Sequence, residues 1–306
     1  MDDVQEKYEA ALQTLLAKVQ ADPYILAAVL LGSLAYDRVW RRSDIDLLLV
    51  TQETRLQHEG LCLVEAGITI SASLTTRSGF RRMLEGSVEG SFLHSMLVKG
   101  RMLFCREEPL VELFEARHRL SERDRAIQLL RAVSGVLPFL VKAEKWFYAK
   151  RDFDYCSFWI LKCVDGLATI EALRHGEIPG REVVHQALAV NPELFHALYT
   201  DRLHGPATEE SLERTLGLIS SYLHIHAGLL FAPILSYLQE EGELRSLTDI
   251  NHHFSRHYNI EGVGLACEWL TDEGYLKRLA TPVRLTDKSR VAVEEAAYYF
   301  SGEERP

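Results

Sequence analysis

Apolar positions change their spacing along the chain, and each change predicts a different kind of structure. Over residues 3–21, Val4, Tyr8, Ala11, Leu12, Leu15, Leu16 and Val19 recur at helical intervals with charges between them, the pattern of an amphipathic helix ended by Asp22 and Pro23. The run 25–31 is apolar throughout and stops at Gly32-Ser33, as a strand buried on both faces does on entering a tight turn. A short helix is predicted after Ser33, strands at 44–50, 67–74 and 100–105, and helices at 78–85, 88–98 and 107–118. From about 120 the alternation vanishes. Long apolar-periodic stretches at 122–150, 155–174, 181–199 and 208–240, broken at 151–152, 176–180 and 205–206, predict a helical bundle. The final stretch changes again: helices at 248–257 and 261–273, short strands at 275–279 and 283–285 around Thr281-Pro282, and a terminal helix at 287–300. That order is the one of a winged helix-turn-helix module. The fold class read from this pattern is α+β (α/β): a small mixed-sheet domain over 1–119, a helical bundle domain over 120–241 and a winged-helix-like domain over 242–306.

The residues with the clearest chemistry lie in the first segment. Asp44 and Asp46 are alternate residues of a strand, so both carboxylates project from one face, about 7 Å apart along the backbone. Two acids on one face call for a cation. Hard oxygen ligands with room for phosphates favour Mg²⁺, and two such ions about 3.5–4 Å apart can activate a hydroxyl while stabilising a leaving pyrophosphate. Gly32 permits close backbone approach, and Ser33 at a helix start offers a hydroxyl and oriented N–H groups, which suits a triphosphate.

Gly32-Ser33, a spacer of ten residues and Asp44-Ile45-Asp46 at a strand start together resemble the signature of polymerase β-like nucleotidyltransferases, over roughly residues 1–118. The resemblance includes small-molecule members such as the aminoglycoside and lincosamide nucleotidyltransferases. It implies metal-dependent transfer of a nucleoside monophosphate, AMP in the leading case, from a nucleoside triphosphate to a hydroxyl of a small molecule or protein. Asp44 and Asp46 would hold the metal, and Gly32 and Ser33 the phosphates. The family generally supplies a third carboxylate from the next strand, and the segment expected there, 68–74, has none; Ser71 or Thr69 takes its place, while Glu65, Glu85 and Glu89 lie elsewhere. The helical segment resembles the helical domains that follow such nucleotidyltransferases, chiefly at Lys142-Ala143-Glu144-Lys145-Trp146. This weaker likeness implies Lys142 or Lys145 on the triphosphate and Glu144 as general base. A solvated charged helix face accounts for the same residues equally well.

Composition narrows the partners. With 306 residues, 47% of them hydrophobic and 25% charged, the chain is ordinary for a folded enzyme of two or three domains. A net charge of -10 disfavours wholesale attraction to nucleic acid, so DNA is an open but unfavoured partner, and a homodimer stays open too. The acidic start lacks the order of a secretory signal and no apolar span approaches 20 residues, which predicts a cytoplasmic protein without a membrane partner. Five scattered cysteines, none in a Cys-x-x-Cys pair, read as reduced, mostly buried thiols. His224 and His226 stand two apart on a helix and do not face one another; His252, His253 and His257 read as a surface group. Asp165 and Glu171 interrupt an apolar helix and either line a cleft or pair with Lys162 or Arg174. A second class of function competes with transfer. In it a catalytically impaired nucleotide-binding domain regulates the chain through its C-terminal module, whose second helix, 261–273, carries no Lys or Arg.

Overall fold

The computed structural model describes residues 2–36, 39–86, 92–116, 122–286 and 288–300. The chain divides into two compact units, Met1–Ser121 and Glu122–Pro306.

In the first unit a five-stranded sheet runs in the order β3-β4-β2-β1-β5, built from β1 (Ile25–Leu31), β2 (Ile45–Thr51), β3 (Gly60–Glu65), β4 (Ile68–Thr76) and β5 (Arg101–Cys105). The pair β2 and β4 is parallel; the other neighbours are antiparallel, so the sheet is mixed. One face is covered by α1 (Asp2–Ala21), whose Tyr8, Ala11, Leu12, Leu15 and Leu16 pack on Ala28, Leu30, Ile45, Leu47 and Ile70. The other face carries α3 (Arg77–Gly86), α4 (Phe92–Lys99) and α5 (Glu108–Glu115), with Phe80, Leu97, Leu110 and Phe114 against Leu26, Val29, Leu31, Leu48 and Val50. Burial on both faces explains why β1 and β2 read as unbroken apolar runs. The short α2 (Ser33–Tyr36) follows β1 directly.

Strand β3 was not among the expected elements. It is the sheet's edge, mostly exposed, so no buried face imprints an alternation on its sequence. Its turn into β4 uses Ala66 and Gly67, both at positive φ, the geometry of a two-residue hairpin.

The second unit begins with α6 (Glu122–Glu144), continued by a π-helical stretch, Lys145–Lys150, and ended by Arg151 in the left-handed conformation. Next come α7 (Phe153–Arg174), α8 (Val183–Val190), α9 (Pro192–Phe195), a second π-helical stretch at His196–Thr200, α10 (Asp201–His204), α11 (Glu209–Leu230) and α12 (Ala232–Glu241). The helix over Glu122–Lys150 is 29 residues long and apolar enough to cross a membrane, which corrects the expectation that no span approaches that length. More than half of its most apolar window is buried, and Leu129, Leu130, Val133, Val136, Leu137 and Leu140 are core residues, so bundle packing accounts for the composition.

After α12 come β6 (Arg245–Ser246), α13 (Leu247–Tyr258), α14 (Gly264–Asp272), β7 (Leu276–Arg284) and β8 (Ala292–Phe300), the strands forming an antiparallel sheet in the order β6-β8-β7. Two expectations fail here. The terminal helix over 287–300 is the strand β8, paired along β7 from Leu276 opposite Phe300 to Arg284 opposite Ala292. Ala and Glu give that segment helix propensity, but burial of Ala297 and Tyr298 in the sheet outweighs it. Likewise Thr281-Pro282 does not separate a pair of strands; β7 runs through it, because an edge strand tolerates a missing N–H.

Candidate nucleotide site of the first unit

The register of three strands brings the predicted residues together. Leu31, the last residue of β1, stands opposite Asp46 on β2, so the Gly32-Ser33 turn lies beside that carboxylate. Gly32 has a φ of +66°, and a Cβ there would sit 2.0 Å from Asp46 Oδ2. Glycine is therefore required twice over, by backbone conformation and by the carboxylate lying against it. Its carbonyl accepts a hydrogen bond from the Ala35 N–H at 3.0 Å, which starts α2 with Ser33 half-exposed.

Asp44 and Asp46 flank Ile45, whose side chain is fully buried. That burial turns the two acids to the opposite face, Asp44 exposed and Asp46 half-buried. On the other side of β2, parallel pairing sets Ser71 beside Asp46, and the Ser71 hydroxyl donates to Asp44 Oδ2 at 2.8 Å. Ser71 thus stands where the third carboxylate was sought. Thr69, also on this face, is exposed and lines a neighbouring cavity. Glu65 closes β3 and is held by Lys18 at 2.6 Å; Glu85 belongs to α3, and Glu89 lies outside the described residues. Among the described residues no three His, Cys, Asp or Glu side chains gather as a metal site. Two carboxylates and a hydroxyl fit one hard divalent cation that takes its remaining oxygens from phosphate and water. A second cation finds no third acid among the described residues.

A model of the family described as polymerase beta, nucleotidyltransferase, matches residues 13–109, which contain both the Gly32-Ser33 turn and the carboxylate pair. This segment, about a third of the chain, is similar to the polymerase β-type nucleotidyltransferases. The matched segment contains all five strands of the mixed sheet. A nucleotidyltransferase-like protein from Exiguobacterium sibiricum 255-15 shares the fold at a TM-score of 0.64 and 16% identity, covering 96% of this chain and 99% of that one. The uncharacterized protein YgxA of Bacillus subtilis (strain 168) is 23% identical over 184 residues, 59% of this chain. The matched stretch spans 60% of the length of that relative.

The residues assigned by the weaker likeness lie in the second unit. Lys142 is exposed with its Nζ 5.2 Å from the centre of the Trp159 ring, and Lys145 is exposed. Glu144 ends α6 half-buried, makes no hydrogen bond or ion pair among the described residues, and has its carboxyl pushed up by burial. Of the other polar residues, Glu171 is a core acid bound to Arg174 at 2.6 Å, not to Lys162. Asp165 lines a groove with Lys162. His224 bonds Glu273 at 2.6 Å and His226 packs edge-on to Tyr222, so the pair does not converge. His252 and His257 are exposed as expected, whereas His253 is half-buried against the Tyr237 ring at 4.1 Å, and burial lowers its pKa. All five cysteines are free, and burial pushes Cys163 and Cys267 up to about 12. Sequence reasoning missed the cavity bounded by Thr69 and the turn before Asp44. Its signal, the pair Arg41-Arg42 next to the Asp-x-Asp motif, was there to be read.

Proposed function

We propose that the first unit binds a magnesium nucleoside triphosphate and transfers its nucleoside monophosphate, AMP in the leading case, to a hydroxyl. The observation that carries this reading is the contact of Gly32 with Asp46, which leaves the phosphate-binding turn and the metal-binding carboxylate no room for a side chain between them. Asp44 and Asp46 would hold Mg²⁺, and Gly32 and Ser33 would bind the phosphate oxygens through backbone N–H groups and the Ser33 hydroxyl. Mg²⁺, when bound, supplies charge neutralisation for the departing pyrophosphate. In the transfer the acceptor oxygen bonds to the α-phosphorus, the bond from that phosphorus to the bridging oxygen breaks, pyrophosphate leaves, and the hydroxyl proton passes to a base. The half-buried Glu144, with its raised pKa, has the chemistry of such a base, and Lys142 and Lys145 the charge for a triphosphate.

Ser71 in place of a carboxylate favours a second reading, a nucleotide-binding regulator with little turnover. The C-terminal module then delivers the signal. Its order of short strand, two helices and long hairpin suits a winged helix, and α14 carries no basic residue, which favours a protein partner over DNA. Free thiols throughout suit a reducing cytoplasm. The experiment is Mg²⁺-dependent nucleotide binding together with pyrophosphate release, measured on the wild type and on Asp44→Asn and Asp46→Asn. Binding lost in both variants supports the site; binding without pyrophosphate release selects the regulator. Undiminished nucleotide affinity in both variants removes the assignment.

A further inference from the structure

Beside Asp44 the first unit has a cavity of about 760 Å³ between α1, the turn before Asp44 and the start of β4. Lys7, Arg41, Arg42, Asp44 and Thr69 line it. In an acidic chain this is a concentration of positive charge, and it abuts a residue of the proposed reaction centre.

The arginines are held by construction. Ser43 N–H donates to the Trp40 carbonyl at 2.9 Å, the Trp40 N–H donates to Ser43 Oγ at 3.1 Å, and the Tyr8 hydroxyl on α1 donates to the Ser43 carbonyl at 2.7 Å. These bonds close a turn with Arg41 and Arg42 at its two central positions, and neither forms an ion pair among the described residues. The sheet order separates this cavity from the phosphate turn: Gly32 follows β1 on one flank of β2, and Thr69 lies on β4 on the other. An attacking group must approach the α-phosphorus opposite the leaving pyrophosphate, which puts the acceptor on the β4 flank.

We infer that this cavity binds the acceptor, and that the acceptor is a small molecule carrying a phosphomonoester, gripped by the Arg41-Arg42 turn with its hydroxyl turned towards Asp44. Guanidinium groups match phosphate oxygens with paired, charge-assisted hydrogen bonds, and the volume admits a phosphorylated metabolite. The inference rests on the transfer reading above.

Calorimetry on the full chain tests it, with glycerol 3-phosphate as probe and glycerol as the uncharged control, with and without saturating Mg²⁺ and a nonhydrolysable ATP analogue. The wild type should bind glycerol 3-phosphate and not glycerol, and should still bind it when the nucleotide analogue is present. The double variant Arg41→Ala/Arg42→Ala should weaken probe binding at least about tenfold while nucleotide affinity stays within about threefold. Thr69→Glu, at an exposed position, should weaken the probe without touching the arginines. Displacement of the probe by nucleotide would overturn the inference, since both would then share one site. So would a single-stranded oligonucleotide binding more tightly than the probe and depending on the same arginines. Nucleotide bound by a chain that ignores the loss of Arg41 and Arg42 sinks the acceptor pocket and spares the transfer reading. Glycerol 3-phosphate bound through the arginines by a chain that takes up no nucleotide does the reverse.

Discussion

Glu171 in the helical unit and Asp46 in the sheet unit are both acids set among apolar neighbours, and they are used in opposite ways. Glu171 is 1% exposed and saturated: Tyr222 donates to it at 2.5 Å, Arg174 at 2.6 Å and Asn191 at 3.0 Å. Burial pushes its carboxyl up, but the bonds from Tyr222 and Asn191 and the Arg174 charge outweigh that and hold it below the ordinary range. Its counterparts Asp44 and Asp46 stand at the end of the sheet, Asp46 against Gly32 and Asp44 accepting from the Ser71 hydroxyl. An acid whose bonds are all internal stabilises the fold; an acid at a rim beside a glycine turn can serve a ligand.

The comparison breaks most readily at Glu171. Glu171→Ala should cost about 3–5 kcal/mol, because Arg174 and Tyr222 lose their buried acceptor, and denaturant unfolding would measure it. The milder Glu171→Gln should cost less, with a pH signature. A depressed carboxyl stabilises the fold above its unfolded pKa, about 4.3, and that contribution fades as pH falls through the lower folded value, so wild type and variant should converge in acid. A loss of nucleotide binding in folded Glu171→Gln at neutral pH would contradict the division of roles.

Gly32→Ala comes next. The positive φ alone costs about 1–2 kcal/mol, and the new methyl must displace the Asp46 carboxylate. Magnesium-nucleotide affinity should therefore fall at least about tenfold with a modest loss in melting temperature, both measurable on one preparation. Full affinity in this variant would detach the turn from the site.

Ser71→Asp sharpens the same contrast at smaller effect. It sets a third acid beside Asp44, where like charges repel without a cation, so stability should drop slightly in chelator and recover with Mg²⁺. Pyrophosphate release above the wild-type rate would identify Ser71 as the feature that limits turnover. The smallest expected effect belongs to Glu144→Gln. Its carboxyl is raised, so the wild-type group contributes most when protonated and loses that contribution as pH rises through its folded value. The variant should melt about 1–2 °C higher at neutral pH and no higher below the unfolded pKa. A lower melting point at neutral pH would mean that the charged form has a stabilising partner.

Much of the fold was legible because burial writes itself into composition. The unbroken apolar runs of β1 and β2 follow from packing on both faces, and the helical periods of α1, α6, α7 and α11 follow from packing on one. Edge strand β3 and strand β8 were not legible: the first has little buried surface to pattern it, and the second is made of residues that favour a helix until β7 and β6 pair with it. The sequence by itself determined the identity and spacing of Gly32, Ser33, Asp44 and Asp46, since a turn after a buried strand and alternate acids on the next are local patterns. Only the tertiary structure decided that the Ser71 hydroxyl bonds Asp44, that Asp46 lies on Gly32, and that Arg41, Arg42 and Asp44 line one cavity with Thr69. Those facts depend on strand register and on the docking of α1, which join residues far apart in the chain and leave no period in it.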